Sequence, residues 1–223
     1  MNDKSTFTTR PSETYFGVYR DTFRLHVHQL VAWGHEEARN RIASNNEQEP
    51  DITGYISEAI KDRLVDNCPP WCIYYSIHED MPVKMRGRSG RSRPRPDIII
   101  ETNLGNRPEY IFEAKRLRKN GYGVDKYIDS DGMGCFISGR YAARYDEAAM
   151  LAYVQSDSVA CWQREVRKAI DDNSKPLSLK PPQRNRNVID VFPFEWISEH
   201  ERISVGQPIV IYHILLDCCI HSK

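Results

Sequence analysis

Pro96-Asp97-Ile98-Ile99-Ile100-Glu101 and, after the turn Asn103-Leu104-Gly105-Asn106, Glu109-Tyr110-Ile111-Phe112-Glu113-Ala114-Lys115 together decide the reading of this chain. Two apolar runs rich in isoleucine and aromatic residues flank a turn, with Pro108 just beyond it, and this predicts a β-hairpin. Folding it about Gly105 sets Glu113 opposite Asp97. Lys115, two residues on, shares the Glu113 face because side chains alternate along a strand. Three charged groups therefore meet at one end of an otherwise apolar hairpin. Carboxylates facing each other across strands repel, so the arrangement asks for a neutralising charge, and a divalent cation is the simplest.

Outward from the hairpin, the periodicity predicts a first helix over about Val18–Ile42, with Phe23, Val27, Leu30, Val31, Ala38 and Ile42 at helical spacing. A second runs over about Ile52–Val65, with Asp51 as its cap, and Cys68-Pro69-Pro70 ends it. Trp71–Ile77 reads as a strand before the hairpin. After it, Met133–Tyr153 reads as helical in part, since Ala142, Ala143, Ala148, Ala149, Met150 and Leu151 favour helix. A further helix is expected over Val159–Asp171, a proline-containing loop over Asn173–Asn187, and strands over Val188–Phe192 and Ile209–Leu216. The expected fold class is α/β, a mixed central sheet flanked by helices. Residues 1–13 read as a disordered N-terminus and 14–223 as a single domain, long enough to bury a substantial core.

The Pro96-Asp97 and Glu113-Ala114-Lys115 motif, in this order of helix, three strands, helix and strand, resembles the PD-(D/E)xK nuclease superfamily, the restriction-endonuclease-like fold. The resemblance implies an αβββαβ core, with the first helix as an addition. It also implies a magnesium-dependent endonuclease, with manganese able to substitute, that hydrolyses phosphodiester bonds of DNA. Asp97 and Glu113 are then the metal ligands, with the backbone carbonyl of Ala114 as a third, and Lys115 orients or deprotonates the attacking water. Family members carry a further acid on the helix before the first core strand. Glu58 fits that slot, with Glu49 and Asp51 as competitors. A role in bacterial anti-phage defence or restriction follows by analogy. The rival readings are an RNA nuclease, a nuclease effector activated by a partner protein, and a nucleic-acid-binding scaffold without catalysis.

The loop before Asp97 adds a signal independent of the motif. From Lys84 to Arg95 it holds Arg86, Arg88, Arg91, Arg93 and Arg95 and no acid. Arginine forks bind phosphate oxygens in pairs, and such a patch gives affinity that weakens with salt. Arg116, Arg118 and Lys119 after the motif, and Arg140 further on, extend the positive rim.

Composition narrows the setting. Thirty-one basic and 31 acidic residues cancel, so nucleic-acid binding has to come from a local patch. No apolar run is long enough to span a membrane, and Met1–Arg10 lacks the apolar core of a signal peptide. The six cysteines show no paired Cys-x-x-Cys spacing. The expectation is a cytoplasmic protein with reduced, unliganded thiols, acting on DNA, as a homo-oligomer or with a defence-system partner.

Overall fold

A computed structural model describes residues 13–66, 68–84 and 89–220, with side chains from Arg20 onward. The chain builds a seven-stranded mixed sheet in the order β1-β2-β3-β4-β7-β6-β5, with helices on both faces. In chain order the elements are α1 (Glu13–Ala38), α2 (Glu49–Val65), β1 (Tyr75–Glu79), β2 (Ile98–Thr102), β3 (Glu109–Leu117), α3 (Val124–Ile128), α4 (Gly134–Ile137), β4 (Glu147–Val154), α5 (Val159–Asp172), β5 (Leu179–Asn185), β6 (Trp196–His200) and β7 (Ile209–Asp217). Strands β1, β2 and β3 are antiparallel. β4 runs parallel to both β3 and β7, and β6 and β5 complete the sheet antiparallel to their neighbours.

The hairpin has the register expected of it. Ile98 pairs with Phe112, Ile99 with Ile111, Ile100 with Tyr110 and Glu101 with Glu109. Alternation along β2 and β3 then divides their side chains between two cores. Ile98, Ile100, Tyr110 and Phe112 pack under α1 and α2, whereas Ile99 and Ile111 pack on the face covered by α3, α4 and α5. α1 and α2 touch closely at Gly34. A Cβ there would lie 2.7 Å from Ile60 Cγ1 and 2.9 Å from the Ile56 carbonyl oxygen, so any larger residue would push the helices apart.

Several expected elements are replaced. Ala148–Leu151 lie in β4, the central strand, not in a helix, and its residues from Ala148 to Val154 are all buried. A parallel strand covered on both faces reads as an unbroken apolar run without alternation, and its alanines mimic helix propensity. Pro70–Tyr74 forms a 3-10 turn, so β1 starts only at Tyr75. The loop expected over Asn173–Asn187 contains β5. Its Pro181 and Pro182 are tolerated because β5 is an edge strand, with β6 on one side only. Val188–Phe192 is not a strand. Ile189 and Phe192 drop into the core, the Val188 N–H donates to Glu195 Oε2 at 2.8 Å, and the strand forms one turn later at Trp196. α1 begins at Glu13, inside the segment read as disordered, and residues 1–12 lie outside those described.

Cys68 and Cys72 are joined as a disulfide, which corrects the expectation of reduced thiols for this pair. The Pro69-Pro70 turn brings their Cα atoms to 6.0 Å, a bridging distance. Cys135, Cys161, Cys218 and Cys219 are free. Among the described residues no helix is long and apolar enough to cross a membrane.

Candidate active site

Asp97 immediately precedes β2, and its backbone closes the end of the β1–β2 pair through the Asp80 N–H, 3.3 Å from the Asp97 carbonyl oxygen. Across the hairpin, Ala114 N–H donates to Asp97 Oδ2 at 2.6 Å. That bond fixes the Asp97 carboxylate beside Glu113. Lys115 turns back along its own strand. Its Nζ donates to Glu113 Oε1 at 2.7 Å, to the Ala114 carbonyl oxygen at 2.7 Å and to Glu49 Oε1 at 3.3 Å. The sequence motif is thus assembled as one cluster at the end of the hairpin.

Glu49, not Glu58, supplies the further acid in contact with this cluster. α2 starts at Glu49 with Pro50 in its first turn, a position that proline favours. The helix therefore begins earlier than expected, with Asp51 inside its first turn and Gln48 at the cap position. Glu49 Oε2 accepts the Arg116 N–H at 3.1 Å while Oε1 receives Lys115. Glu58 lies nine residues on, about 13 Å along the helix axis, and is paired with Arg41 at 2.7 Å on an exposed surface. No sequence signal separated the two acids except the exact start of the helix.

Glu113 is buried, and its Oε2 has no hydrogen-bond partner. Burial and then the neighbouring Asp97 charge push the Glu113 carboxyl up to about 8, with Lys115 pulling the other way. Burial likewise raises Asp97 to about 6, against the Ala114 N–H and the Lys115 charge. Lys115 is held charged, not lowered toward a neutral amine that could take a proton from water. Burial disfavours its charge, yet Glu113 and Glu49 outweigh burial and raise its pKa. At neutral pH the cluster holds an ammonium among carboxyl groups that resist ionising together. An orphaned buried oxygen beside a second carboxylate suits a hard cation. Among the described residues, however, no group of three or more His, Cys, Asp or Glu is disposed to hold a metal ion.

The wall above the cluster comes from α4 and the turn after it. Tyr141 OH donates to the Arg95 carbonyl oxygen at 2.9 Å. Burial and then the Glu113 charge raise its pKa. The buried Cys135 thiol is pushed up to about 11 by the same two causes, in the same order. Neither Cys135 nor Asp131, which holds Arg140 in place at 2.9 Å, carries a sequence signal that marks it.

The positive rim is thinner than its sequence. Arg86 and Arg88 lie outside the described residues. Arg91 is exposed and Arg93 partly buried. Arg95 is held by Asp80, at 3.0 Å. Arg116 is not a rim residue: it is buried, donates to the Glu47 carbonyl oxygen at 2.9 Å and stacks on Tyr122. Its alternating position on β3 turns it inward, under α2. Arg118 lies over the same ring, and Lys119 is exposed near Asp157. Arg140 is committed to Asp131, the Ser130 carbonyl oxygen and Cys135 Sγ.

No protein-family model, curated protein or solved structure matches the chain.

Proposed function

We propose that the protein is a metal-dependent nuclease that hydrolyses phosphodiester bonds, with Asp97, Glu113, Lys115 and Glu49 at its active centre. One observation carries the reading. Two carboxyl groups are held side by side at a hairpin end, one with a buried unpartnered oxygen, and a lysine two residues beyond Glu113 on the same strand bridges Glu113 to a third acid, Glu49. The order α2, β1, β2, β3, helical crossover and parallel β4 supports it, since this is the αβββαβ pattern that the motif implies.

Asp97 and Glu113 would hold the cation, with the Ala114 carbonyl oxygen in reach of the same space. Bound magnesium supplies Lewis acidity and a water of lowered pKa. The chain's own residues do the rest. The Ala114 N–H keeps Asp97 oriented. Glu49 holds Lys115 against the cluster, where its ammonium can neutralise charge building on a phosphate oxygen. Tyr141 and α4 cover the carboxylates from the side. Arg91 and Arg93 supply phosphate contacts. DNA is the substrate in this reading, RNA the alternative, and the role is defence against foreign DNA, with the option of a partner that activates it.

A second reading has its own support. Lys115 Nζ already satisfies Glu113, Glu49 and the Ala114 carbonyl oxygen, so the cluster can stand as a closed ion-pair network in a binding or scaffold module. Calorimetric titration with manganese separates the two. A nuclease site binds the ion and loses binding in Glu113→Gln, whereas a closed network shows no carboxylate-dependent heat.

A further inference from the structure

A cavity of about 480 Å³ opens on the α3–α5 side of the sheet. Its apolar wall is Met81, Pro82 and Val83 from the loop after β1, and the buried Ile99 and Ile111, paired across β2 and β3, lie beneath. By strand alternation these isoleucines share a face with Asp97 and Glu113, two residues or about 7 Å away. Lys84, Arg93, Arg140 and Arg144 line the cavity together with one acid, Glu109, and Arg140 is paired with Asp131. Lys84 and Arg144 make no ion pair among the described residues. Arg93 and Arg140 each keep a buried Nε without an acceptor. The far wall is held rigid by buried Arg202, which donates to the carbonyl oxygens of Ala142 at 2.9 Å and Tyr145 at 2.8 Å.

An apolar wall edged by more guanidinium and ammonium groups than carboxylates suits a flat group tethered to an anion. A nucleotide has that chemistry, and the volume falls in the range of small-molecule sites. We propose that this cavity receives the base of an unpaired nucleotide adjacent to the scissile phosphate, with Lys84 and Arg144 on its phosphate. The proposal rests on the nuclease reading and deepens it. A base inside a duplex is paired and stacked and cannot enter. The strand must be single, frayed or have that base turned out. Since Met81, Pro82 and Val83 carry no side-chain hydrogen-bonding groups, the cavity selects unpaired over paired nucleotides and not one base over another.

The test is fluorescence anisotropy in EDTA with a short labelled oligodeoxythymidine, an abasic strand of equal length and a duplex. The two single strands carry the same phosphates, so a difference reports bases alone. The intact strand should bind about tenfold more tightly than the abasic one, the scale of one base contact. Ala143→Trp, at an exposed position lining the cavity, should fill it, weaken the intact strand about tenfold and erase the difference. Equal binding of intact and abasic strands by the unmodified protein overturns the cavity proposal while leaving the nuclease reading standing. So does an Ala143→Trp variant with an unchanged melting temperature that still tells them apart. Failure to bind any of the three nucleic acids removes both.

Discussion

Replacing Asp97 by asparagine isolates the cost of ionising a carboxyl beside Glu113 in a partly dry site. Asparagine keeps the shape and a carbonyl acceptor for the Ala114 N–H, so the 2.6 Å bond has a substitute. Asp97 rises from 3.8 to about 6, first through burial. At 1.36 kcal/mol per unit, the ionised form costs the fold about 3 kcal/mol at pH 8. The sign follows from linkage. The folded state holds the proton more tightly than the unfolded chain, so this stabilisation is complete below 3.8 and lost as pH rises through about 6. The variant lacks the titration. It should therefore gain about 3 kcal/mol over the unmodified protein at pH 8, about half of that at pH 5 and almost nothing at pH 3. For a chain of this size that is a melting temperature higher by about 6–12 °C at pH 8. Urea unfolding of both proteins in EDTA across this pH range reads it directly. A variant less stable at pH 8, or a gap that ignores pH, refutes the view of Asp97 as a carboxylate held against its charge.

Lys115→Met should act in the opposite direction, since it strips a buried Glu113 of its cation. A loss of about 3 kcal/mol at pH 8 is expected, as for a broken buried pair, with single-turnover cleavage slower by about 10²–10⁴-fold. Unchanged cleavage would leave Lys115 as an ion-pair residue only. Arg91→Gln with Arg93→Gln should weaken duplex binding evenly across sequences and flatten the log–log salt dependence by roughly 0.9 for each phosphate no longer neutralised. An unaltered slope places the phosphate-binding cations elsewhere. Arg202→Met should destabilise the fold by at least about 2 kcal/mol in denaturant titration, because the buried Ala142 carbonyl oxygen is left without its donor. A neutral variant would show that the 142–145 turn holds itself.

The hairpin was legible because its register follows from a turn at Gly105 and from alternation, both local properties. The pairing of Ile99 with Ile111 places the motif without further information. β4 was not legible, because its face is set by β3 and β7 on either side and by helices above and below, none of them local. The same holds for the extra acid. Glu49 and Glu58 look alike along the chain, and only the start of α2 and the place where its first turn meets β3 choose between them. A charge run gives composition but not commitment. The Arg116 guanidinium is taken up by the Glu47 carbonyl oxygen and the Tyr122 ring, and Arg95 by Asp80, through contacts that join distant parts of the chain.

Cleavage itself tests the central claim most directly. The unmodified protein and Glu113→Gln are incubated with supercoiled plasmid, single-stranded DNA and RNA, each with magnesium, manganese or EDTA. Strand breaks are expected with either metal, none in EDTA and none from Glu113→Gln under any condition. Cleavage that persists in EDTA or in Glu113→Gln, or no cleavage of any substrate by a folded protein that also fails to bind manganese, contradicts the assignment.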